Sequence, residues 1–204
     1  SARPAGAKVF GDGAAAMAGA ALLLLFHAVQ GFPTLNNFGG DNDSLTRLVQ
    51  VRDLLAGQGW FDLHQYRLGP GGGLVMHWSR LVDAPIAVLV LAGGETFALI
   101  AWPMLLFAVA LWLLLRIARR IGGEPAFLPA LIIGGTALHF LGIFVPGAID
   151  HHNVQLTLTL AVLAALVGAT GTISSVVAAA AAALMLAVGM ESAPYVATAG
   201  LVAA

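Results

Sequence analysis

Long apolar runs alternate with polar segments along the chain, and this alternation predicts membrane-spanning helices joined by loops. The apolar runs cover about residues 14–34, 96–115, 127–145, 154–169 and 176–190. A helix needs about 20 apolar residues to cross the hydrocarbon core of a bilayer, and we predict that each run crosses it. The run at 81–92 is shorter and predicts an interfacial or re-entrant helix. The alternative, a short true span, would invert the topology of every later run.

The first polar segment, about residues 36–95, contains the only long hydrophilic run of the chain, at 39–83. Within it, apolar positions between residues 45 and 55 follow a helical stripe, which predicts a short amphipathic helix on the membrane surface. Asp43 and Ser44 are suited to cap its start, and Gly57 and Gly59 to end it. The polar residues off the stripe are Arg47, Gln50 and Asp53. The glycine-rich turn at 69–73 is not a phosphate-binding loop, because the GK[ST] ending is missing.

The basic residues orient these predicted spans. Arg3 and Lys8 precede the first run, and Arg116, Arg119 and Arg120 follow the run at 96–115. Cytoplasmic ends of spans carry an excess of Lys and Arg. Both groups lie on the cytoplasmic side only if the run at 81–92 does not cross, so the charges favour the interfacial helix. The second polar segment, about residues 146–153, then lies on the same outer face as the first.

Composition agrees with a multi-pass membrane protein. Of the 204 residues, 59% are hydrophobic and 9% are charged, whereas soluble domains carry about 25% charged residues. The net charge of -1 carries no information about nucleic acid, and no basic cluster suggests it, so we do not predict nucleic acid as a partner. Cysteine is absent, which excludes disulfides and thiolate metal sites. We predict one all-α polytopic transmembrane bundle over 1–204. The apolar tail at 192–204 stops without a polar flank, which predicts the N-terminal part of a longer protein.

The first candidate site is Asp41-Asn42-Asp43, at the start of the long hydrophilic run. Carboxylates at this spacing suit Mg²⁺ or Mn²⁺, ions that commonly bridge to substrate phosphates. The alternative is that the two carboxylates cap a helix and solvate a loop.

The second candidate site is Asp150-His151-His152, wedged between apolar runs. A carboxylate beside two imidazoles at the membrane edge is costly unless it is used or solvated. Together they can hold a divalent ion, or Asp150 can act as a base with a histidine as its orienting partner. The alternative is an ordinary polar loop, because Asp, His and Asn favour helix starts and turns.

Further candidates are isolated charged residues. Glu191 interrupts an apolar run, and a carboxylate in such a place predicts a functional role unless it reaches the interface. Arginines of the first polar segment, Arg67 and Arg80 among them, can bind phosphate through paired N–H groups. They can equally pair with Asp53, Asp62 and Asp83. His27 and His139 are predicted to pack inside the bundle.

The order of these features resembles the N-terminal half of GT-C membrane glycosyltransferases, above all the catalytic subunit of oligosaccharyltransferase and its bacterial and archaeal counterparts. The likeness is one of layout and covers nearly the whole chain, including the turn Gly59-Trp60-Phe61. In that family the first outer loop carries an essential Asp, matched here by Asp41 or Asp43. The second outer loop carries DxD or a close variant, matched by Asp150-His151-His152. His151 and His152 depart from the family, whose members often have an acidic residue or Asn there.

The resemblance implies transfer of a sugar or oligosaccharide from a polyprenyl-phosphate-linked donor to an acceptor on the periplasmic face of a bacterial inner membrane. Asp41 or Asp43 would orient the acceptor as the catalytic carboxylate, and a divalent metal, Mg²⁺ or Mn²⁺, would be the cofactor. The predicted metal ligands are Asp43, Asp150, His151 and His152, and the predicted substrate-binding residues are Arg67, Arg80 and Glu191.

Two other functional classes stay open from the sequence. A transporter or channel with an Asp/His ion site predicts polar residues in the middle of spans. A non-catalytic membrane scaffold predicts that the two polar segments lie far apart.

Overall fold

A computed structural model describes residues 11–168 and 171–203 of the chain. It confirms an all-α fold, with one small hairpin of two short strands. The helices are α1 (Asp12–Val29), α2 (Asn42–Leu55), α3 (Arg80–Gly122), α4 (Phe127–Pro129), α5 (Gly135–Phe140), α6 (His152–Leu166), α7 (Thr172–Val188) and α8 (Ala193–Ala203). Short 3₁₀ segments lie at Pro33–Gly40, Glu124–Ala126 and Met190–Ser192, and a π-helical turn, Ala130–Gly134, joins α4 to α5. The strands β1 (His64–Gln65) and β2 (Leu74–Val75) pair antiparallel.

Two helices of the described ranges, α1 and α3, are long and apolar enough to cross a membrane. α6 and α7 are also apolar but shorter, at 15 and 17 residues. Length and composition therefore support two crossing helices, and the multi-pass bundle expected from the sequence stays a prediction.

α3 is broken at Gly94, whose backbone (φ 84°, ψ 173°) is not helical. A positive φ of this size favours glycine, because a Cβ would strain the backbone. The break comes just after the run at 81–92, which the sequence analysis separated from the span at 96–115. α3 thus has a first part, 80–93, and a second part, 95–122, that can point in different directions.

The second part of α3 packs antiparallel against α1 in the largest apolar core. Small residues on α1, Ala15, Ala16 and Ala20, are buried against Phe107 and Leu111 of α3. Small side chains let two helix backbones approach closely. At one end of this pair the guanidinium of Arg119 lies 2.5 Å from the Asp12 carboxylate. The C-terminus of α3 and the N-terminus of α1 therefore share one end of the molecule, which we call the basic end.

Two predicted helix ends were wrong. α1 stops at Val29 rather than near residue 34, because the backbone turns out of the helix at Gly31 (φ 74°) and Phe32 (φ 53°), just before the 3₁₀ segment at Pro33. The helix expected over 127–145 stops at Phe140, before Gly142 turns the chain with φ 77°. The residues that follow fold back inward, with Phe144 and Ile149 completely buried. The N–H of Gly147 donates to the carbonyl oxygen of Leu99 at 2.8 Å, which fixes this segment against α3.

The helix at 45–55 exists as α2, but its predicted orientation was wrong. Arg47 and Gln50, expected off the apolar stripe, are completely buried. The apolar side chains of Leu48 and Val51 share a core with Val82 and Ile86 of α3. α2 therefore packs against the first part of α3 instead of presenting its polar face to solvent. Its end was predicted correctly, at a Gly57 with φ 100°.

Candidate functional site

The site begins at the first turn of α2. Asp41, the residue before the helix, accepts hydrogen bonds from the N–H groups of Asp43 (2.9 Å) and Ser44 (3.3 Å). This is an N-cap, in which a side-chain oxygen satisfies amides that have no partner within the helix. The predicted cap at Asp43 and Ser44 was therefore wrong by two residues. Because Asp41 caps the helix, Asp43 lies in its first turn.

Ser44 joins the two polar segments of the sequence. Its buried hydroxyl donates to Oδ2 of Asp41 at 3.3 Å. The hydroxyl oxygen of Ser44 in turn accepts hydrogen bonds from the N–H groups of Ile149 at 3.1 Å and Asp150 at 3.3 Å. One hydroxyl thus holds the start of α2 against a segment more than a hundred residues later in the chain.

The carboxylates of Asp41, Asp43 and Asp150 converge as a result. Each of them offers an oxygen within 4.8 Å of the other two. They line a cavity of about 350 Å³ together with Ser44 and His152. The cavity is closed on its other sides by Leu141, Gly142, Ile143, Ala148 and Asn153. We call Asp41, Asp43 and Asp150 the carboxylate cluster. Their convergence was expected only from the topology of the predicted spans.

The cluster concentrates negative charge. Burial raises the pKa of Asp43, and the charges of Asp41 and Asp150 raise it further, against smaller opposing effects of His151 and His152. Like charges this close disfavour full ionisation of each carboxylate. A bound divalent cation would remove this repulsion, and carboxylate oxygens are the ligands that Mg²⁺ and Mn²⁺ prefer. The residues present therefore fit such an ion.

A second group of possible ligands shares Asp150 with the cluster. The imidazoles of His151 and His152 each contact one of its carboxylate oxygens, His151 at 2.5 Å. Burial alone would raise the pKa of Asp150, but the hydrogen bonds and charge of His151, with the bond from His152, lower it below its usual range. Asp150 is therefore held in its ionised form.

His151 lies between two carboxylates. Its Nδ1 is 2.5 Å from Oδ1 of Asp150, and its Nε2 is 2.5 Å from Oε1 of Glu191. Burial lowers the pKa of His151, but Asp150 and Glu191 outweigh burial and the charge of Arg47, so its pKa is raised. Both ring nitrogens of His151 are thus engaged within the protein. His152, whose side chain is about half exposed (53%), has the more open position and lines the cavity.

Two arginines of the first polar segment, Arg47 and Arg80, are engaged in internal contacts. Arg47 pairs with the buried Asp83 at 2.8 Å, stacks on Trp78 with 4.6 Å to the ring centroid, and lies 4.0 Å from Asp150. Arg80 pairs with the same Asp83 at 3.1 Å and donates to the carbonyl of Asp62. These contacts support the pairing alternative for both residues and brace the first part of α3 against α2.

The other two predicted substrate-binding residues, Glu191 and Arg67, differ in their contacts with the site. Glu191 joins the site through His151. Arg67 is exposed in the turn after β1, and within the described ranges it makes no contact with the cluster. The substrate-binding roles of Arg67, Arg80 and Glu191 stay predictions.

The sequence analysis missed the structural role of Ser44 and Arg47. Residues 44, 47, 48 and 51 follow the i, i+3, i+4, i+7 spacing of a single helix face. This spacing marks the buried face of α2, although two of its four members are polar. Counting Ser44 and Arg47 on that face would have identified them as buried polar residues in need of distant partners.

Comparisons of the chain with protein-family models, with curated proteins and with solved structures found no match. The arguments below therefore rest on the residues and geometry of this chain.

Proposed function

We propose that the chain is a membrane glycosyltransferase of the GT-C type, which transfers a glycosyl group from a polyprenyl-phosphate-linked donor on the outer face of the membrane. The observation that carries the proposal is the convergence of Asp41, Asp43 and Asp150 at one cavity. The scaffold alternative required the two polar segments to lie apart, and Ser44 bonds them together.

The position of the cavity supports a lipid-linked donor. The cluster lies at the end of the molecule opposite the basic end, where α1 finishes and α3 begins. Arg119 and the neighbouring arginines in the last turns of α3 belong on the cytoplasmic side, because cytoplasmic ends of spans carry an excess of Lys and Arg. The cluster, at the opposite end, then belongs on the outer side. A donor with a long apolar tail needs a reaction site at the membrane edge, where the tail can stay in hydrocarbon.

The chain's own residues divide the chemistry between them. A divalent cation held by Asp43 and Asp150 would supply positive charge to the phosphate that leaves the sugar. Asp41 or Asp43 accepts a hydrogen bond from the acceptor and orients its attacking group. His152, at the open side of the cavity, would donate a hydrogen bond to a phosphate oxygen of the glycosyl donor. His151 holds Asp150 in position, because its two ring nitrogens contact the carboxylates of Asp150 and Glu191.

Cation binding is the first test. The purified full chain is titrated with Mn²⁺, and bound ion is measured by electron paramagnetic resonance. We expect Asp43→Asn and Asp150→Asn each to weaken Mn²⁺ binding at least tenfold. Glu124→Gln removes a carboxylate at the basic end and is expected to leave Mn²⁺ binding unchanged. Equal loss in all three variants, or no binding to the unaltered chain, would reject a cation site at the cluster.

Turnover is the second test. The full chain is incubated in lipid vesicles with labelled polyprenyl-phosphate-linked sugars, and release of the lipid phosphate is followed. We expect release by the unaltered chain and at least a hundredfold loss with Asp43→Asn. The same vesicles loaded with a Mn²⁺-sensitive dye report ion flux. Mn²⁺ flux without release of the lipid phosphate would reject the glycosyltransferase proposal and support the transporter alternative.

A further inference from the structure

A second cavity lies at the basic end, far from the carboxylate cluster. It has a volume of about 630 Å³, within the range of about 300–1,000 Å³ typical of small-molecule sites. It is a groove between three helices. α3 lines it with Trp112, Arg116 and Arg120, α6 with Ala161 and Ala164, and α7 with Val177.

Two arginines stand at one end of this groove. Arg116 and Arg120 are one helical turn apart on α3 and both are exposed. Arg116 lies over the Trp112 ring at 5.0 Å, and Nε of Arg120 donates to the carbonyl of Val167 at 3.3 Å. Within residues 11–168 and 171–203, neither guanidinium has a carboxylate partner. Arg119, between them in sequence, instead pairs with Asp12 and Glu124.

The rest of the groove is mostly apolar. Below the arginines, α6 presents the small side chains of Ala161, Ala164 and Ala165, which leave room along the helix. Val177 of α7 and Leu113 of α3 form the opposite walls. A free phosphate would use only the charged end of this space. An occupant with an anionic head and an apolar chain complements both parts.

We propose that this groove binds one anionic glycerophospholipid, with its phosphate on Arg116 and Arg120 and an acyl chain along α6. The arginines lie in the last turns of α3, one of the two candidate membrane-spanning helices, and the end of a spanning helix reaches the headgroups. Basic pockets between helices on the cytoplasmic side attract anionic headgroups, by about 1 kcal/mol per Arg near the surface. The inference concerns the other end of the molecule and does not depend on the proposed glycosyl transfer.

Lipid binding to the full chain in a neutral detergent tests this inference. Phosphatidylglycerol and phosphatidylcholine with the same acyl chains are titrated, and bound lipid is measured by native mass spectrometry. We expect phosphatidylglycerol to bind at least tenfold more tightly. Arg116→Gln and Arg120→Gln should each weaken its binding about fivefold, which corresponds to about 1 kcal/mol. Arg52→Gln removes an exposed arginine at the other end and should have no effect.

The apolar part of the groove is tested separately. Ala164→Phe fills the space beside α6 and leaves both arginines in place, so it should weaken binding of both lipids about tenfold. Brominated phosphatidylglycerol should quench the fluorescence of Trp112, identified by its loss in Trp112→Phe. Thermal unfolding confirms that each variant is folded.

Three outcomes would overturn the proposal. Equal binding of the two lipids would remove the role of the arginines. An equal effect of Arg52→Gln would show attraction to overall charge. Displacement of phosphatidylglycerol by inorganic phosphate at the same concentration would identify a simple anion site that does not select a lipid.

Discussion

At the scale of single residues, the site depends on polar side chains that make internal contacts. Ser44, Arg47 and Asp83 are completely buried. A buried polar group is costly unless its partners are present. These residues therefore fix the geometry of the carboxylate cluster. Removal of one partner should lower the free energy of unfolding substantially, because it leaves a buried polar group unpaired.

Removing the Ser44 hydroxyl should separate the two polar segments. In Ser44→Ala the N–H groups of Ile149 and Asp150 lose their acceptor, at a cost of about 1–3 kcal/mol. We expect a lower free energy of unfolding in a urea titration and weaker Mn²⁺ binding, because Asp150 is no longer held beside Asp41. Ser175→Ala, which removes an exposed hydroxyl bonded to Gly171, should change neither. Unaltered Mn²⁺ binding in Ser44→Ala would contradict the linking role of this hydroxyl.

Asp83 neutralises two buried arginines at once. Breaking a buried ion pair from one side costs about 3–5 kcal/mol, because the remaining charge stays buried. We therefore expect Asp83→Asn to lower the free energy of unfolding by this amount. Glu95→Gln breaks the exposed pair of Arg52 and Glu95 and should cost about 1 kcal/mol or less. Similar losses in both variants would mean that Asp83 is not the main counter-charge of Arg47 and Arg80.

At the scale of elements, the break in α3 lets one continuous segment serve two packing directions. Its first part packs on α2 and carries Asp83 toward the site. Its second part packs on α1 and ends at the arginines of the basic end. The backbone at Gly94 is the joint between them.

Substitution of this glycine should be costly for conformational reasons alone. No atom lies within 4 Å of a Cβ built at Gly94, so Gly94→Ala meets no clash and suffers only from the positive φ. We expect a loss of about 1–3 kcal/mol in the free energy of unfolding. Gly200→Ala, in open space inside α8, should instead gain about 0.5–1 kcal/mol from helix propensity. A gain at both positions would mean that α3 straightens readily.

Local signals in the sequence predicted several of these elements correctly. Hydrophobic periodicity predicted α2, and Gly57 marked its end. The short length of the apolar run at 81–92 separated it from the span at 96–115, and α3 is broken between these two runs. The end of α5 could not be predicted, because Pro146-Gly147 is a stronger helix-ending signal than the single Gly142. The convergence of Asp41, Asp43 and Asp150 followed from topology, but the Ser44 bonds that cause it join distant segments and leave no local pattern.

At the scale of the whole molecule, the two ends differ in charge. The carboxylate cluster lies at one end, and Arg116, Arg119 and Arg120 lie at the other. If the protein spans a membrane, as proposed, these arginines belong on its cytoplasmic side, because cytoplasmic ends of spans carry an excess of Lys and Arg. The distance between the two ends also separates the two cavities, so that a ligand at one does not contact the residues of the other.

The absence of cysteine from the chain makes this orientation simple to measure. Phe61 and Ile121 are both largely exposed, at 94% and 72%, and lie toward opposite ends. In intact bacterial cells, a thiol reagent that cannot cross the membrane should label Phe61→Cys readily. Ile121→Cys should be labelled only after the membrane is permeabilised. Labelling of both from outside would contradict a membrane between the two ends.

The double role of Asp41 has a kinetic consequence. Its carboxylate belongs to the cluster and also holds the amide hydrogens of Asp43 and Ser44 at the start of α2. A ligand drawn to this carboxylate competes with those amides for the same oxygen atoms. Hydrogen exchange at these two amides should therefore accelerate when the cavity is filled, while exchange in the rest of α2 stays constant. The first turn of one helix would then report occupancy of the cavity without any added probe.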